Sequence, residues 1–591
     1  MKDFRDLYKS EKNKNKNTKL PEEQIINKAI QFHLQGNIKE AKKRYEKLVR
    51  QGCNDHRVLS NYGVILVGLG NTKYSEKLFR KATELKPDYA DAHNNLGNLL
   101  RDLNHLKEAE ISMRKASTIN PENANYQYNL GILLHDLDNY KEAEISFRKT
   151  IAINQNYVDA HYSLGRLLKD LGKFKEAEIS FRKTIAIDQN YSKAYFALSL
   201  LIIDVENDNF LEYLFSKEIL ESKENKSKSN QADIFFARGN ILERKENYKE
   251  SYKMFRMANL ITRKEFKSNF KIFKELLEED NAITKEIEEI SNTEGKEKDL
   301  PSPIFTVGLP RAGKSTIESI LSQNNLLRNF GDRKGISEVV RDYRKIAESC
   351  ETLGISINST FKEIRTTYLR LAQQYHPDKG GDQELMAKIA EGYNFLKNEY
   401  KDKVKNYRRP SLFKFFIQKL NEDLGPFAFT SHTSPNNILY TGLIASQIPK
   451  AKIIYCYRNP KDHIVELYKY NIKNYLTLKT SIIDLAKIMV MIDNQLEEYK
   501  SRFHSKIYFL NFDELIREPK REIKSILNWL NWKYDDNYLT PKLVSKGIIE
   551  SNNDFNSFNS AYLNKSRNYD EMLKPVEGIL SKLTSGNRNK T

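Results

Sequence analysis

The sequence predicts a multidomain protein: an all-α solenoid, then an α/β domain with a parallel sheet, interrupted by a small all-α segment. Three observations predict it. A small residue returns every 34 positions through the first third of the chain. A Gly-x-x-x-x-Gly-Lys-Ser loop at Gly308–Ser315 stands between an apolar strand and a helix. Two amphipathic helical stretches flank the tripeptide His376-Pro377-Asp378. The 591 residues suffice for about four domains at ~150 residues each.

Composition narrows the class further. Apolar residues at 39%, charged residues at 30% and aromatic residues at 11% exclude a wholly disordered or collagen-like chain. Lys and Arg (97) exceed Asp and Glu (79) by 18, which suits a polyanionic partner such as a nucleotide, or simply a soluble surface. Cys53, Cys350 and Cys456 lie far apart, so they form neither a disulfide framework nor a zinc ribbon, and no metal is expected. Residues 1–20 are expected to be a basic flexible tail without a signal-peptide core. No window approaches the ~20 apolar residues that cross a bilayer. The expected location is the cytoplasm, with no membrane and no nucleic acid as partner.

The repeat comes first in the chain. Ala29, Gly63, Gly97, Gly131, Gly165 and Ser199 share one register. Ala41, Ser75, Ala109, Ala143 and Ala177 share a second, and Pro87, Pro121, Gln155 and Gln189 a third. Within one unit the apolar spacing is helical in two stretches separated by Gly172 and Lys173, which predicts a helix hairpin per repeat. The small residues fall where the two helices approach most closely. This pattern, with Leu96-Gly97, Ala109, Pro121 and Phe147 at their offsets, resembles the tetratricopeptide repeat. The resemblance implies a solenoid over residues 21–264 whose concave face binds a peptide or protein. A last hairpin is expected around Gly239 and Ser251, and residues 265–300 read as a charged helical linker.

From Pro301 the composition changes. IFTVG is a short strand, LPRAGKST a loop, and Ile317, Ile320 and Leu321 share one face of the following helix. Glycines in such a loop let backbone N–H groups approach phosphate oxygens, and the helix amino terminus adds a favourable field. The motif alone leaves the chemistry open. A Mg²⁺-dependent nucleotide hydrolase or kinase would need an acidic residue closing a second strand, which Asp513 could supply.

Pro310-Arg311 within the loop, the strand ending in Arg458 within AKIIYCYRNP, and FLNFDELIREPKREIKSILNWL farther on resemble the sulfotransferase superfamily, and in particular bacterial members with tetratricopeptide repeats in front. The resemblance implies 3′-phosphoadenosine 5′-phosphosulfate as donor. It assigns Arg311, Ala312, Gly313, Lys314, Ser315 and Thr316 to the 5′-phosphosulfate, with Lys314 also offsetting charge in the transition state, and Arg458 to the 3′-phosphate. Asp332 and His432 are the two candidates for the base that deprotonates the acceptor. Asp462 is expected to cap its own helix. Two departures stand out: Glu466 replaces the usual serine eight residues after Arg458, with Lys461 or Lys469 as possible neutralising cations, and the carboxyl-terminal loop is degraded to residues 564–569.

The interruption has its own logic. Phe361, Ile364, Tyr368, Leu371 and Tyr375 share one helix face, and Leu385, Ile389 and Leu396 another. With TYLRLAQQYHPDKGGD between them, the segment resembles the J domain of DnaJ-type co-chaperones. That implies contact with a DnaK-type chaperone through His376, Pro377, Asp378 and the basic Lys362, Arg365 and Arg370. The expected division is sulfotransferase domain at 301–347, J domain at 348–407 entering by a surface connection, and sulfotransferase domain again at 408–585. The function expected is sulfuryl transfer to a hydroxyl or amine. A non-catalytic co-chaperone adaptor on a relic fold is the alternative.

Overall fold

The computed structural model describes residues 22–201, 209–265, 270–286, 301–331, 336–356, 359–375, 381–399, 416, 427–448, 450–469, 481–540, 543–545, 548–550 and 563–583. The chain divides into two compact units, the first running to Asp188 without Asp170–Gly172, the second taking up Asp170–Gly172 and Gln189 onward.

The first unit is built of helix hairpins, from Glu22–Leu34 with Ile38–Arg50 to Val158–Asp170 with Phe174–Ile187. The glycine register has a steric cause. A Cβ at Gly131 would stand 2.7 Å from the Phe147 ring, and one at Gly165 2.7 Å from Phe181. A further register marks the turns: Gly36, Gly70, Asn104, Asp138 and Gly172 all have φ between 60° and 78°, the left-handed region that Gly, Asn and Asp tolerate best. Arginines tie neighbouring repeats. Arg80 reaches Glu108 at 2.5 Å, Arg114 reaches Glu142 at 2.6 Å and Arg148 reaches Glu176 at 2.6 Å, each also holding the glutamate one turn before it.

The second unit contains the last hairpin, Lys228–Arg244 with Tyr248–Glu265, so the solenoid boundary expected at 264 is not where the chain divides. The stretch read as a linker is corrected too. Its helix Phe270–Glu286 buries Phe273, Leu277, Asp280 and Thr284. The Asp280 carboxylate accepts the backbone N–H groups of Gly442 (3.0 Å) and Leu443 (3.1 Å) and the Tyr499 hydroxyl (3.0 Å). A buried carboxylate needs such partners, so this helix belongs to the domain core.

That domain is an α/β fold around a five-stranded parallel sheet. Its strands are β1 (Ser302–Val307), β2 (Leu327–Asn329), β3 (Phe429–His432), β4 (Lys452–Tyr457) and β5 (Ile507–Asn511), in the order β2-β3-β1-β4-β5. The chain passes to one side of β1 for β2 and β3 and to the other for β4 and β5. In open parallel sheets of this kind, ligands bind beyond the carboxyl ends of the strands at such a switch in direction, here the ends of β1 and β4.

Between β2 and β3 stand the helices Ile336–Thr352, Phe361–Tyr375 and Gln383–Glu399. Ile364, Ile389 and Leu396 are buried, and the Tyr368 and Tyr393 rings stack at 3.8 Å. Thr360 and Glu363 form a reciprocal cap on the second of these helices. The junction expected at 347–348 is corrected: Ile336–Thr352 is one continuous helix, not a surface connection. His376, Pro377 and Asp378 lie outside the described residues.

Candidate nucleotide site

The loop after β1 is shaped by close packing. Gly308 has φ 146°, and a Cβ there would come within 2.5 Å of the Cys456 carbonyl on β4. Gly313 (φ 87°) precedes the helix Lys314–Leu321 against the Phe512 ring, which leaves no room for a side chain. Arg311 itself adopts φ 65°, a conformation that costs a non-glycine residue energy and is kept where the surroundings enforce it. Lys314 is buried and its Nζ donates to the Gly308 carbonyl at 2.7 Å, closing the loop on itself. Ala312 is buried, Arg311 and Ser315 are exposed, and Thr316 is half-buried.

Arg458 follows β4 and is 3% exposed. Its Nη2 lies 3.5 Å from Oδ1 of Asp513, whose carboxylate also accepts the Asn459 N–H in a short hydrogen bond. Burial raises the Asp513 pKa, against the opposing pull of Asn459 and Arg458. This engagement turns the acidic residue considered for Mg²⁺ into the partner of Arg458.

Helix capping here differs from the expectation. Asn459 caps the helix Pro460–Lys469, accepting from the Lys461 N–H (3.0 Å) and the Asp462 N–H (3.2 Å). Asp462 instead accepts the N–H groups of Asn564 (2.8 Å) and Ser566 (2.7 Å), so the degraded carboxyl-terminal loop is still fastened beside the site. Tyr569 packs edge-on against Tyr248 of the last hairpin at 5.7 Å.

Glu466, on the same helix, is nearly buried. Its Oε1 lies 3.2 Å from Lys565 Nζ and 3.4 Å from Lys469 Nζ. Burial works to raise its carboxyl, but Lys469, Lys565 and Arg311 outweigh it and hold the group well below the usual carboxylate range. Of the two lysines expected to intervene, Lys469 does so while also binding Glu243 at 2.6 Å. Lys461 pairs with Glu577 at 2.8 Å instead.

The candidate bases fare differently. Asp332 lies outside the described residues, but Gly331 before it is fixed, its N–H bound by Asn329 Oδ1 (2.8 Å) and its carbonyl by the Thr433 N–H (2.7 Å). His432 is fully buried, stacked on Phe330 (5.3 Å) and Phe305 (5.2 Å), with Phe416 edge-on and Nε2 2.9 Å from Thr430 Oγ1. Burial lowers its pKa to about 3. A ring enclosed in this way is a core residue, and the expectation of a catalytic His432 is corrected.

Sequence reasoning missed His463. Buried one turn into the helix after Arg458, it places Nε2 2.7 Å from the Pro310 carbonyl, and burial lowers its pKa to about 4. A carbonyl only accepts, so neutral His463 donates from Nε2 and pins the phosphate loop.

A helical-repeat array followed by an α/β domain with a phosphate-type loop at its sheet's switch point is thus the class defined. Residues 303–536 match the sulfotransferase family, and residues 56–89, 78–111, 124–157 and 158–191 match tetratricopeptide-repeat families. The chain therefore carries tetratricopeptide repeats over 56–191 and a sulfotransferase-family domain over 303–536. An uncharacterized protein of Aquifex aeolicus (strain VF5) is 22% identical over 369 residues, covering 60% of this chain and 42% of that protein. The mitochondrial DnaJ homolog 1 of Schizosaccharomyces pombe is 31% identical over 80 residues, 13% of this chain and 15% of that one. The chain thus spans well under two thirds of the length of either relative. Among solved structures, YrrB, described as a tetratricopeptide-repeat protein with an unusual peptide-binding site, is 19% identical with a TM-score of 0.26, covering 35% of this chain and 96% of its own. Among the described residues no helix is long and apolar enough to cross a membrane.

Proposed function

We propose that the chain moves a sulfuryl group from 3′-phosphoadenosine 5′-phosphosulfate to a hydroxyl or amine acceptor. The observation that carries this reading is the pairing of the pinned Gly308–Ser315 loop after β1 with buried Arg458 after the neighbouring β4, within a segment matching the sulfotransferase family. Loop N–H groups, Arg311, Lys314, Ser315 and Thr316 hold the 5′-phosphosulfate, and Arg458, oriented by Asp513, faces the rest of the nucleotide. Asp332 takes the acceptor proton as the acceptor–sulfur bond forms. The bond from sulfur to the bridging oxygen breaks, and the nucleotide leaves as adenosine 3′,5′-bisphosphate. Arg311 and Lys314 offset the charge that gathers on that oxygen. The repeats bind a peptide or protein.

Thermal stabilisation tests it. A ligand at 100 times its dissociation constant adds about 2.7 kcal/mol. Adenosine 3′,5′-bisphosphate stabilises the wild type, and Arg311→Ala and Lys314→Ala abolish the effect. Stronger stabilisation by ATP with Mg²⁺ overturns the reading in favour of a nucleotide hydrolase or kinase.

A second activity is carried by the helical segment between β2 and β3. Lys362, Arg365 and Arg370 are exposed along Phe361–Tyr375, which leads to His376-Pro377-Asp378. The reading of a DnaK-type chaperone as partner rests on the sequence motif His376-Pro377-Asp378 between two amphipathic helices. Stimulation of that chaperone's ATPase without any sulfuryl transfer would make the protein a co-chaperone adaptor.

A further inference from the structure

The second helices of three successive repeats carry an exposed isoleucine in one register. Ile111 of Leu106–Ile119, Ile145 of Tyr140–Ile153 and Ile179 of Phe174–Ile187 are 72%, 65% and 66% exposed. Each stands two residues beyond a buried alanine, Ala109, Ala143 or Ala177, and so about 200° around the helix from it, away from the core of its hairpin. Folding does not require an apolar residue at this position, because the same register holds the exposed Lys43 and Lys77 in the two repeats before. Four residues to either side of each isoleucine, on the same helix face, stand exposed lysines: Lys107 and Lys115, Lys141 and Lys149, Lys175 and Lys183. The glutamates of these helices are held by arginines of the same and the preceding repeat. One exposed apolar side chain is ordinary, but three in register between two rows of lysine make a surface.

We propose that this row docks an acidic amphipathic helix of a partner protein. The partner's apolar stripe lies along Ile111, Ile145 and Ile179, and its carboxylates on both sides of the stripe meet the lysines. Charge complementarity selects this occupant. A second copy of the same face would set lysine against lysine. An extended strand sends alternate side chains to opposite faces, whereas a helix with an apolar residue every three or four positions borders one apolar line with acidic residues on both sides. A lipid surface would attract the lysines, but it has no linear feature to match a row one residue wide. The inference rests on the reading that the repeats bind a protein, and it names the surface and the partner's chemistry.

The test is fluorescence anisotropy with the full chain and a labelled model helix of about 20 residues, long enough to be helical by itself, carrying one leucine stripe bordered by glutamates. Wild type is expected to bind it, more weakly as salt rises. A triple variant, Ile111→Ser with Ile145→Ser and Ile179→Ser, should lose about tenfold or more in affinity, as should a second variant with Lys→Gln at the six flanking positions. All these positions are exposed, so both variants should keep the wild-type unfolding temperature. The same peptide bordered by lysines should not bind. Unchanged affinity in either variant overturns the inference and moves the contact elsewhere on the chain, with the protein-binding reading intact. No binding of the acidic helix by wild type overturns the inference alone. If wild type instead binds vesicles of phosphatidylserine and phosphatidylcholine, and the triple variant does not, both readings give way to a lipid surface.

Discussion

His463 Nε2 lies 2.7 Å from the carbonyl oxygen of Pro310, so a buried hydrogen bond ties the helix after β4 to the loop after β1. The loop after β1 and the helix after β4 are therefore fixed to each other before any ligand arrives. Replacing His463 by Ala removes the donor and leaves a buried carbonyl unpaired, at a cost of about 1–3 kcal/mol. Affinity for adenosine 3′,5′-bisphosphate is expected to fall roughly tenfold, the equivalent of about 1.4 kcal/mol. Retained affinity, measured by titration, would show that the loop keeps its shape without the histidine.

Stability should depend on pH through the same residue and His432. Burial lowers their pKa values to about 4 and about 3, below the unfolded value near 6.5. Between those limits the unfolded chain binds more protons than the native one, so this contribution is complete above pH 6.5 and is lost as pH falls, toward 4 for His463 and toward 3 for His432. Each histidine contributes a slope of about 1.4 kcal/mol per pH unit where it titrates fully. Urea unfolding at pH 7, 6 and 5 should show the decline, and His432→Phe should flatten it.

Asp280 offers a prediction about the helix that precedes the sheet domain. Asp280→Ala strands two buried backbone N–H groups and the Tyr499 hydroxyl, and should cost about 3 kcal/mol. An effect within about 0.5 kcal/mol, typical of an exposed linker position, would mean that the helix is not part of the cooperative core.

Asp332→Asn addresses the base. If Asp332 accepts the acceptor proton, transfer should fall by about 10²–10⁴-fold while the nucleotide dissociation constant changes little. Parallel loss of binding and turnover would move the role to a ligand contact.

His376→Gln separates the two proposed activities. Stimulation of a DnaK-type ATPase is expected to drop to background with nucleotide affinity preserved, measured on the same preparation. Loss of both would show that the segment between β2 and β3 is not independent of the crevice.

Much of the architecture could be read from spacing. The 34-residue register is steric: Gly131 against Phe147 and Gly165 against Phe181 leave no freedom, so periodicity survives in the letters. The shape of the Gly308–Ser315 loop was equally legible, because Gly308 and Gly313 occupy backbone conformations few other residues adopt. Asp280 was not. It sits in a run of charges that reads as linker, and its backbone partners stand 162 and 163 residues away. His463 carries no pattern either, since one histidine on an amphipathic helix looks like any other until the loop it touches is in place. Glu466 was visible as an oddity, but one of its neutralising cations, Lys565, belongs to the carboxyl-terminal loop near the far end of the chain.

The unbroken helix Ile336–Thr352 sets a rule for how this chain can vary. Its 17 residues rise about 25 Å, and each residue added or removed turns everything beyond by about 100°. A single-residue deletion in that helix would swing the Phe361–Tyr375 helix and its basic row about a quarter of the way around, whereas losing four residues would nearly restore its bearing. Length changes tolerated here should therefore come in threes and fours, phased like cogs on a shaft.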